Sequence, residues 1–280
     1  MKLLELTSDV VFKSFMMSEN TKNYKARLIH LITGLPEQDL KEAKYESNEL
    51  SVNNKQDKVY KTDIIVRVDK HIINIEMNGN YYNGLIEKNG TYYHKLRSEQ
   101  FSRGESYLKI QKVIQINIDN FKKFKGNKLV YKFMMLETET KELESEYLES
   151  YHIDLSYLKN KCYNETIEEL EKICLLFVEE KDKIKTLIKG DNIMDEAYEE
   201  LERLSRDKDI IGLYDAEKVA EKVLNTRLEG ARLEGIEEGE KRGSEQKSLD
   251  IAKKMILKSI SIQDISEITG LSKQQIENLK

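Results

Sequence analysis

The stretch Thr62-Asp63-Ile64-Ile65-Val66-Arg67-Val68-Asp69-Lys70-His71-Ile72-Ile73-Asn74-Ile75-Glu76-Met77-Asn78 decides how this chain is read. Its β-branched residues flank a central Asp-Lys pair, the pattern of a β-hairpin. With Asp69 and Lys70 as a two-residue turn, Val68 pairs with His71, Val66 with Ile73, Ile64 with Ile75, and Asp63 with Glu76. Side chains alternate between faces along a strand. One face therefore collects Ile64, Val66, Val68, Ile73, Ile75 and Met77, all apolar. The other collects Asp63, Ile65, Arg67, Ile72, Asn74, Glu76 and Asn78. A slip of one residue would mix the two sets, so the pattern specifies the register. Directly opposed side chains stand roughly 4.5 to 5.5 Å apart, and like charges there repel. Two readings follow: an amphipathic hairpin whose acids meet water, or a carboxylate pair that holds something positive, with a divalent cation as the natural candidate.

The chain has 280 residues, enough for one large domain and a smaller appendage. No window approaches the roughly 18 consecutive apolar residues of a membrane-spanning helix, and the first residues lack the apolar run of a secretory signal. A cytoplasmic protein is expected. Cys162 and Cys174 match neither a disulfide framework nor a zinc site, and read as plain core or surface thiols. The net charge of −5 argues against non-specific nucleic-acid binding, but its distribution does not. From Lys88 to Lys128 ten basic residues face three acids. Such a block is either a solvated face or, directly after paired carboxylates, a phosphate-binding surface.

Around the hairpin the order is α/β. Ser8 is placed to cap a first helix with Val11, Phe12, Phe15 and Met16 on one stripe. A second helix from about Thr21 carries Leu28, Ile29, Leu31 and Ile32 and stops at Gly34, before Pro36. Weak strand signals span Ala43 to Leu50. After the hairpin, Tyr82 to about Phe101 reads as a helix, and Val113–Ile118 and Tyr131–Leu136 as strands joined by a lysine-rich turn around Gly126. An acidic patch, Glu137–Ser150, leads to a short strand candidate at Tyr151–Leu155. Beyond it the pattern is helical, with stripes at Ile167, Leu170, Ile173, Cys174 and Phe177, and at Met194, Ala197, Tyr198, Leu201 and Leu204.

Four segments are expected: a first domain over 1–190, a helical extension over 191–227, a Glu/Gly-rich helical spacer over 228–247 and a small tail over 248–280. The spacer has glycines at 230, 235, 239 and 243, spaced to lie near one helix face, so it reads either as a solvated spacer or as a site of close helix pairing. In the tail, Ile262, Ile265 and Ile268 before Gly270, and Ile276 and Leu279 after Ser272, have the spacing of a helix-turn-helix. Lys273, Gln274, Gln275 and Asn278 would be its nucleic-acid contacts; the alternative is an oligomerisation or docking piece.

Several stretches, taken in order, resemble the PD-(D/E)XK nuclease family transposases, also called recombination-promoting nucleases. They are Ser8-Asp-Val-Val-Phe-Lys-Ser-Phe15, Thr62-Asp-Ile-Ile-Val66, Ile73-Asn-Ile-Glu-Met-Asn78, Tyr92-Tyr93 through Gln100 to Tyr107, Lys112–Ile118, the Met194–Tyr214 helical segment, the Glu-Gly repeats and Thr269-Gly-Leu-Ser272. The resemblance runs nearly end to end. It implies a restriction-endonuclease-like core, a central mixed sheet flanked by helices, followed by an all-helical C-terminal region. It also implies cleavage of double-stranded DNA with Mg²⁺, or Mn²⁺ in its place, promoting recombination or transposition-like events. Asp63 and Glu76 match the two motif acids that bind metal, with the Met77 carbonyl as a further ligand and Asp9 as a support through water. Asn78 stands where the superfamily usually has lysine and this family often glutamine. It can orient a water through its amide but carries no charge. That departure motivates the alternative, a catalytically inactive DNA-binding or regulatory protein that keeps the fold. Lys95, Arg97 and Arg103 are candidates for gripping DNA, Tyr93 and Gln100 for lining the site, and the helical C-terminal region for forming a homodimer.

Overall fold

The computed structural model describes residues 2–47, 49–50, 60–101, 106–161, 167–179 and 181–279. Helix α1 (Asp9–Met17) starts where Ser8 accepts a hydrogen bond from the Val11 N–H. Helix α2 (Lys22–Thr33) ends at Gly34, whose φ of 77° suits glycine, and α3 (Glu37–Glu42) follows Pro36. Short strands β1 (Lys44–Glu46), β2 (Glu49–Leu50) and β3 (Tyr60–Lys61) precede the hairpin of β4 (Ile64–Val68) and β5 (His71–Asn78). Helix α4 (Leu85–Ser98) leads to β6 (Lys112–Asp119), β7 (Val130–Met134) and β8 (Leu148–Asp154). Then come α5 (Leu155–Lys159), α6 (Glu169–Cys174), α7 (Lys181–Leu187), α8 (Asn192–Leu204), α9 (Lys208–Leu257), α10 (Ile262–Thr269) and α11 (Lys273–Glu277).

Val68 lies opposite His71, Val66 opposite Ile73 and Ile64 opposite Ile75, the register that the alternation requires. Asp69 takes a φ of 43° in the turn, a conformation Asp tolerates better than most side chains, and its carbonyl accepts from the Gln111 side chain at 2.7 Å. The six-stranded sheet has the order β1-β4-β5-β6-β8-β7. Strands β5, β6 and β8 are parallel, while β1, β4 and β7 pair antiparallel with their neighbours. The turn around Gly126 joins β6 to β7, and β8 lies between the two in the sheet. One sequence expectation needs correction here. The short strand expected at Tyr151–Leu155 is a central strand that begins at Leu148, inside the acidic patch. Charge concealed it: Glu149 is buried, but Lys112 and Lys132 both bind its carboxylate and hold it down to about 2 against the raising effect of burial. Gly126 itself has a steric reason, since a Cβ there would meet the Tyr131 hydroxyl at 2.7 Å.

The two sheet faces differ. Ile64, Val66, Ile73, Ile75, Ile114, Ile116, Ile118 and Ile153 pack against Val11, Phe12 and Phe15 of α1, Leu28 and Ile29 of α2 and the buried stripe Met194, Ala197, Tyr198, Leu201 and Leu204 of α8. On the other face Ile65, Ile72 and Val113 meet Tyr93 and Leu96 of α4, a much smaller apolar cluster. Cys174 is a buried free thiol of the main core, and Cys162 lies outside the described residues.

The chain divides into two compact units, Met1–Glu217 and Lys218–Lys280. In the second, the glycines at 230, 235, 239 and 243 all fall within the continuous helix α9, and a Cβ at any of them would meet nothing within 4 Å. The tail is expected to hold three short helices from Ile251 on; the first of them is the end of α9. Ala252 packs with Ile265, Leu271 and Ile276 of the α10–α11 pair, giving this end of the chain a core of its own. Ser272 caps α11, and Gln275 returns the bond to the Ser272 N–H in a capping box. Among the described residues no helix is long and apolar enough to cross a membrane.

Candidate active site

Strand β5 extends beyond the last paired residue of β4, so Asp63 meets Glu76 and Met77 just past the end of the ladder. The Asp63 N–H donates to Glu76 Oε1 at 3.4 Å, and the Met77 N–H donates to Asp63 Oδ2 at 2.8 Å. The Lys70 and Asn78 carbonyls accept from the N–H groups of Lys112 and Asn120, and alternation turns the Met77 backbone the other way, toward Asp63. The two acids are 8% and 1% exposed. Burial raises both carboxyls well above the usual range, and the nearby Asp63 charge raises Glu76 further.

Two helices bring cations to this pair. From α1, Lys13 Nζ lies 2.8 Å from Asp9 and 3.1 Å from Asp63. From α4, Lys88 Nζ lies 3.4 Å from Glu76 Oε2. Burial alone would lower both ammonium groups; the carboxylates outweigh it and leave them raised. Neither lysine was singled out from the sequence. Lys13 was visible as a partner four residues after Asp9, whereas Lys88 was one member of a basic block. The end of α1 nearest the site is held by a residue from the start of α9. Glu217 accepts from the Ser8 hydroxyl at 2.6 Å and from the N–H groups of Asp9 and Val10 at 3.0 and 3.3 Å.

Under α4 the sheet carries a chain of buried amides whose direction one carbonyl sets. The Tyr151 carbonyl can only accept, so Asn117 donates to it through Nδ2, at 3.1 Å. Asn117 Oδ1 must then accept, and does so from Gln115 Nε2 and Asn89 Nδ2 at 3.0 and 2.8 Å. Gln115 Oε1 accepts from Asn74 Nδ2 at 2.9 Å, and Asn74 Nδ2 also reaches Glu76 at 3.2 Å. In the other direction Asn117 Nδ2 meets His152 Nε2 at 3.3 Å, which leaves His152 Nδ1 to donate to Asp119 Oδ2 at 2.6 Å. Asp119 Oδ1 accepts from Asn78 Nδ2 at 2.8 Å. Thus the Asn78 amide is tied to Asp119, and Glu76 is paired with Lys88.

The other sequence candidates are placed as follows. Asp9 joins Asp63 through Lys13. Gln100 is bonded to the Gln111 backbone, at the start of β6 and so at the opposite end of the sheet from the carboxylates. The Tyr93 hydroxyl donates to the Tyr147 carbonyl and accepts from the Glu149 N–H, both at 3.1 Å. Lys95 is 3.4 Å from Glu99, and the Arg97 guanidinium lies 5.6 Å from the Tyr147 ring centroid. Arg103 lies outside the described residues. Among the described residues no three His, Cys, Asp or Glu side chains form a metal cluster by themselves. Two buried carboxylates and an adjacent backbone carbonyl are hard oxygen donors, and suit a cation that completes its shell with water and phosphate.

No curated protein and no solved structure matches the chain. A family model does match, over residues 6–230, a span that includes α1, the hairpin, α4 and α8. That model describes the PD-(D/E)XK nuclease family transposases, and the chain belongs to this family.

Proposed function

We propose that the protein is a divalent-metal-dependent endonuclease acting on double-stranded DNA, and that its cuts promote recombination or transposition-like events. The observation that carries this reading is the buried Asp63–Glu76 pair, joined through the Asp63 and Met77 N–H groups at the open end of the hairpin. Asp63, Glu76 and the Met77 carbonyl would hold Mg²⁺ or Mn²⁺, with Asp9 supporting from α1. When bound, such a cation polarises the phosphate, lowers the pKa of an attacking water and neutralises the leaving alkoxide. Lys88 holds a positive charge beside Glu76 that an entering phosphate oxygen can share, the place left by Asn78. Purified protein should nick supercoiled plasmid with Mg²⁺ or Mn²⁺ and stop when the metal is chelated. Undiminished nicking by Asp63→Ala or Glu76→Ala would sink the proposal.

A second reading, a DNA-binding protein without activity, is favoured by the Asn78–Asp119 bond and by the lysines already paired with Asp63 and Glu76. It is supported if salt-dependent binding occurs without cleavage, and if neither Asn78→Lys nor Asn78→Gln restores it.

Assembly as a homodimer through the helical C-terminal region is part of the same proposal, supported by the exposed Val219, Val223, Leu224 and Leu228 on α9. Truncation at residue 190 would remove the buried stripe of α8 from the main core, so substitution is the better test. A dimer mass should fall to that of one chain in the Val223→Glu, Leu224→Glu double variant, and an unchanged mass would exclude this face.

A further inference from the structure

The six-stranded sheet ends on two unequal edges, β1 and β7. Strand β1 is short, with Lys44 paired to Glu46 and Glu46 paired across to Arg67. Shortness and charge are what keep a sheet edge from accepting another strand. The β7 edge has neither guard. Continued past Met134, it runs from Val130 to Leu136 and ends in the apolar stretch Phe133-Met134-Met135-Leu136. Phe133, Met135 and Leu136 are 43%, 45% and 46% exposed. The single charged residue of the run, Lys132, is turned back onto its own sheet, 2.6 Å from Glu149.

Three bonds fix which way the backbone of this edge faces. The Leu129 carbonyl accepts from the Asp154 N–H at 2.8 Å, the Met135 carbonyl accepts from the Glu144 N–H at 3.1 Å, and the Glu137 N–H donates to the Glu142 carbonyl at 2.8 Å. Successive residues of a strand turn their N–H and C=O groups to opposite sides. The odd-numbered residues therefore face β8 and the hairpin that leads into it, and Val130, Lys132, Met134 and Leu136 face outward. Among the described residues β7 pairs with β8 alone, so the outward row is open. Such a row is a template for one more strand.

The pattern of the run matches itself. When two copies are laid antiparallel, a single register sets all four outward residues of one against all four of the other, with the two-fold axis at Phe133. Val130 then lies opposite Leu136 of the second copy, Lys132 opposite Met134, and Tyr131 opposite Met135. The two Phe133 side chains meet on the axis in a close, non-hydrogen-bonded pair, where aromatic partners are favourable and no like charges are directly opposed. The flanks agree. Lys128, whose ammonium lies 4.8 Å from the Tyr131 ring centroid, precedes the run, and Glu137 and Glu139 follow it. Antiparallel pairing brings the basic end of each copy to the acidic end of the other. A foreign strand would have to bring this order with it; a second copy already carries it. We infer that the β7 edge pairs with the β7 edge of a second copy, continuing the sheet across a two-fold axis at Phe133. This contact depends neither on the proposed activity nor on pairing through α9.

An edge this short makes a weak contact, so it is sought at high concentration. The Val223→Glu, Leu224→Glu chain, which removes any contribution from α9, is followed by sedimentation from about 10 μM to 1 mM. Its mass should pass from that of one chain toward that of two. In the same background Phe133→Glu and Phe133→Lys should each weaken association by about tenfold or more, because like charges then meet on the axis, and an equal mixture of the two should restore it. Met134→Pro removes an outward N–H and no bond to β8, and should abolish association. The inference is overturned if the chain stays single over the whole range, if association survives both Met134→Pro and Phe133→Glu, or if the mixed charged variants associate no better than either alone.

Discussion

The two faces of the central sheet divide the labour of this protein. The face under α1, α2 and α8 carries the main apolar core, with Ile73 and Val66 fully buried in it. The face under α4 buries Asn74, Glu76, Asn78, Gln115, Asn117, Asp119 and His152 on adjacent strands, and two amide oxygens there have no partner among the described residues. Each buried polar group costs free energy unless it is fully bonded, so the second face weakens the fold that the first one stabilises. The second face is also the one on which the proposed function places its chemistry.

The largest effect should come from the polar face. On the proposed function, Asp63→Ala or Glu76→Ala should lower metal-dependent plasmid nicking by about 10³-fold or more, since each would remove a ligand charge of the cation. Comparable rates from both variants would end the functional contrast between the faces. On the apolar face, Ile73→Ala should cost about 2 to 5 kcal/mol in denaturant unfolding, because no side chain is free to fill the space.

Glu76→Gln should move stability the other way. Burial favours the protonated carboxyl, so between the ordinary glutamate range and its raised value the folded chain binds more protons than the unfolded chain. That contribution therefore falls as pH rises through this window. The glutamine variant should accordingly be more stable than the parent at pH 8, on the order of 1 to 3 kcal/mol, with the gain gone near pH 4. Melting curves across that range without metal check the sign; a gain that grew toward acid would contradict the burial argument. Adding Mg²⁺ or Mn²⁺ at pH 8 should raise the parent's melting temperature and leave the variant's nearly unmoved.

Smaller changes sharpen the comparison. Lys88→Met should reduce nicking by about tenfold while leaving the melting temperature within a few degrees, since the lysine is partly exposed. Glu217→Ala should cost about 1 kcal/mol by uncapping α1, measurable as a lower melting temperature.

The apolar face was legible residue by residue. Ile64, Val66, Ile73 and Ile75 alternate with Ile65, Arg67, Ile72 and Asn74 of the other face, and only one register keeps them together. The caps at Ser8, Gly34 and Ser272 were legible for a related reason, because capping is a matter of local backbone conformation. β8 was obscured by Glu149, whose charge reads as surface until Lys112 and Lys132 arrive from other strands. Gln100 and Tyr93 share a helix face in the sequence, but α4 runs along the sheet, and two turns of helix carry Gln100 away from the end where Glu76 stands. The basic block likewise separates in space: Lys88 reaches the carboxylates and Lys95 pairs within its own helix.

By itself the sequence determined the hairpin, its register and the meeting of Asp63 with Glu76, since all three follow from a two-residue turn and a period of two. Only the tertiary structure decided which groups neutralise those acids, where Asn78 sends its amide, and which strand ends the sheet with its edge open. Those outcomes depend on strands and helices brought side by side from distant parts of the chain. Periodicity says which way a side chain points along its own strand; it says nothing about what another element will place opposite it.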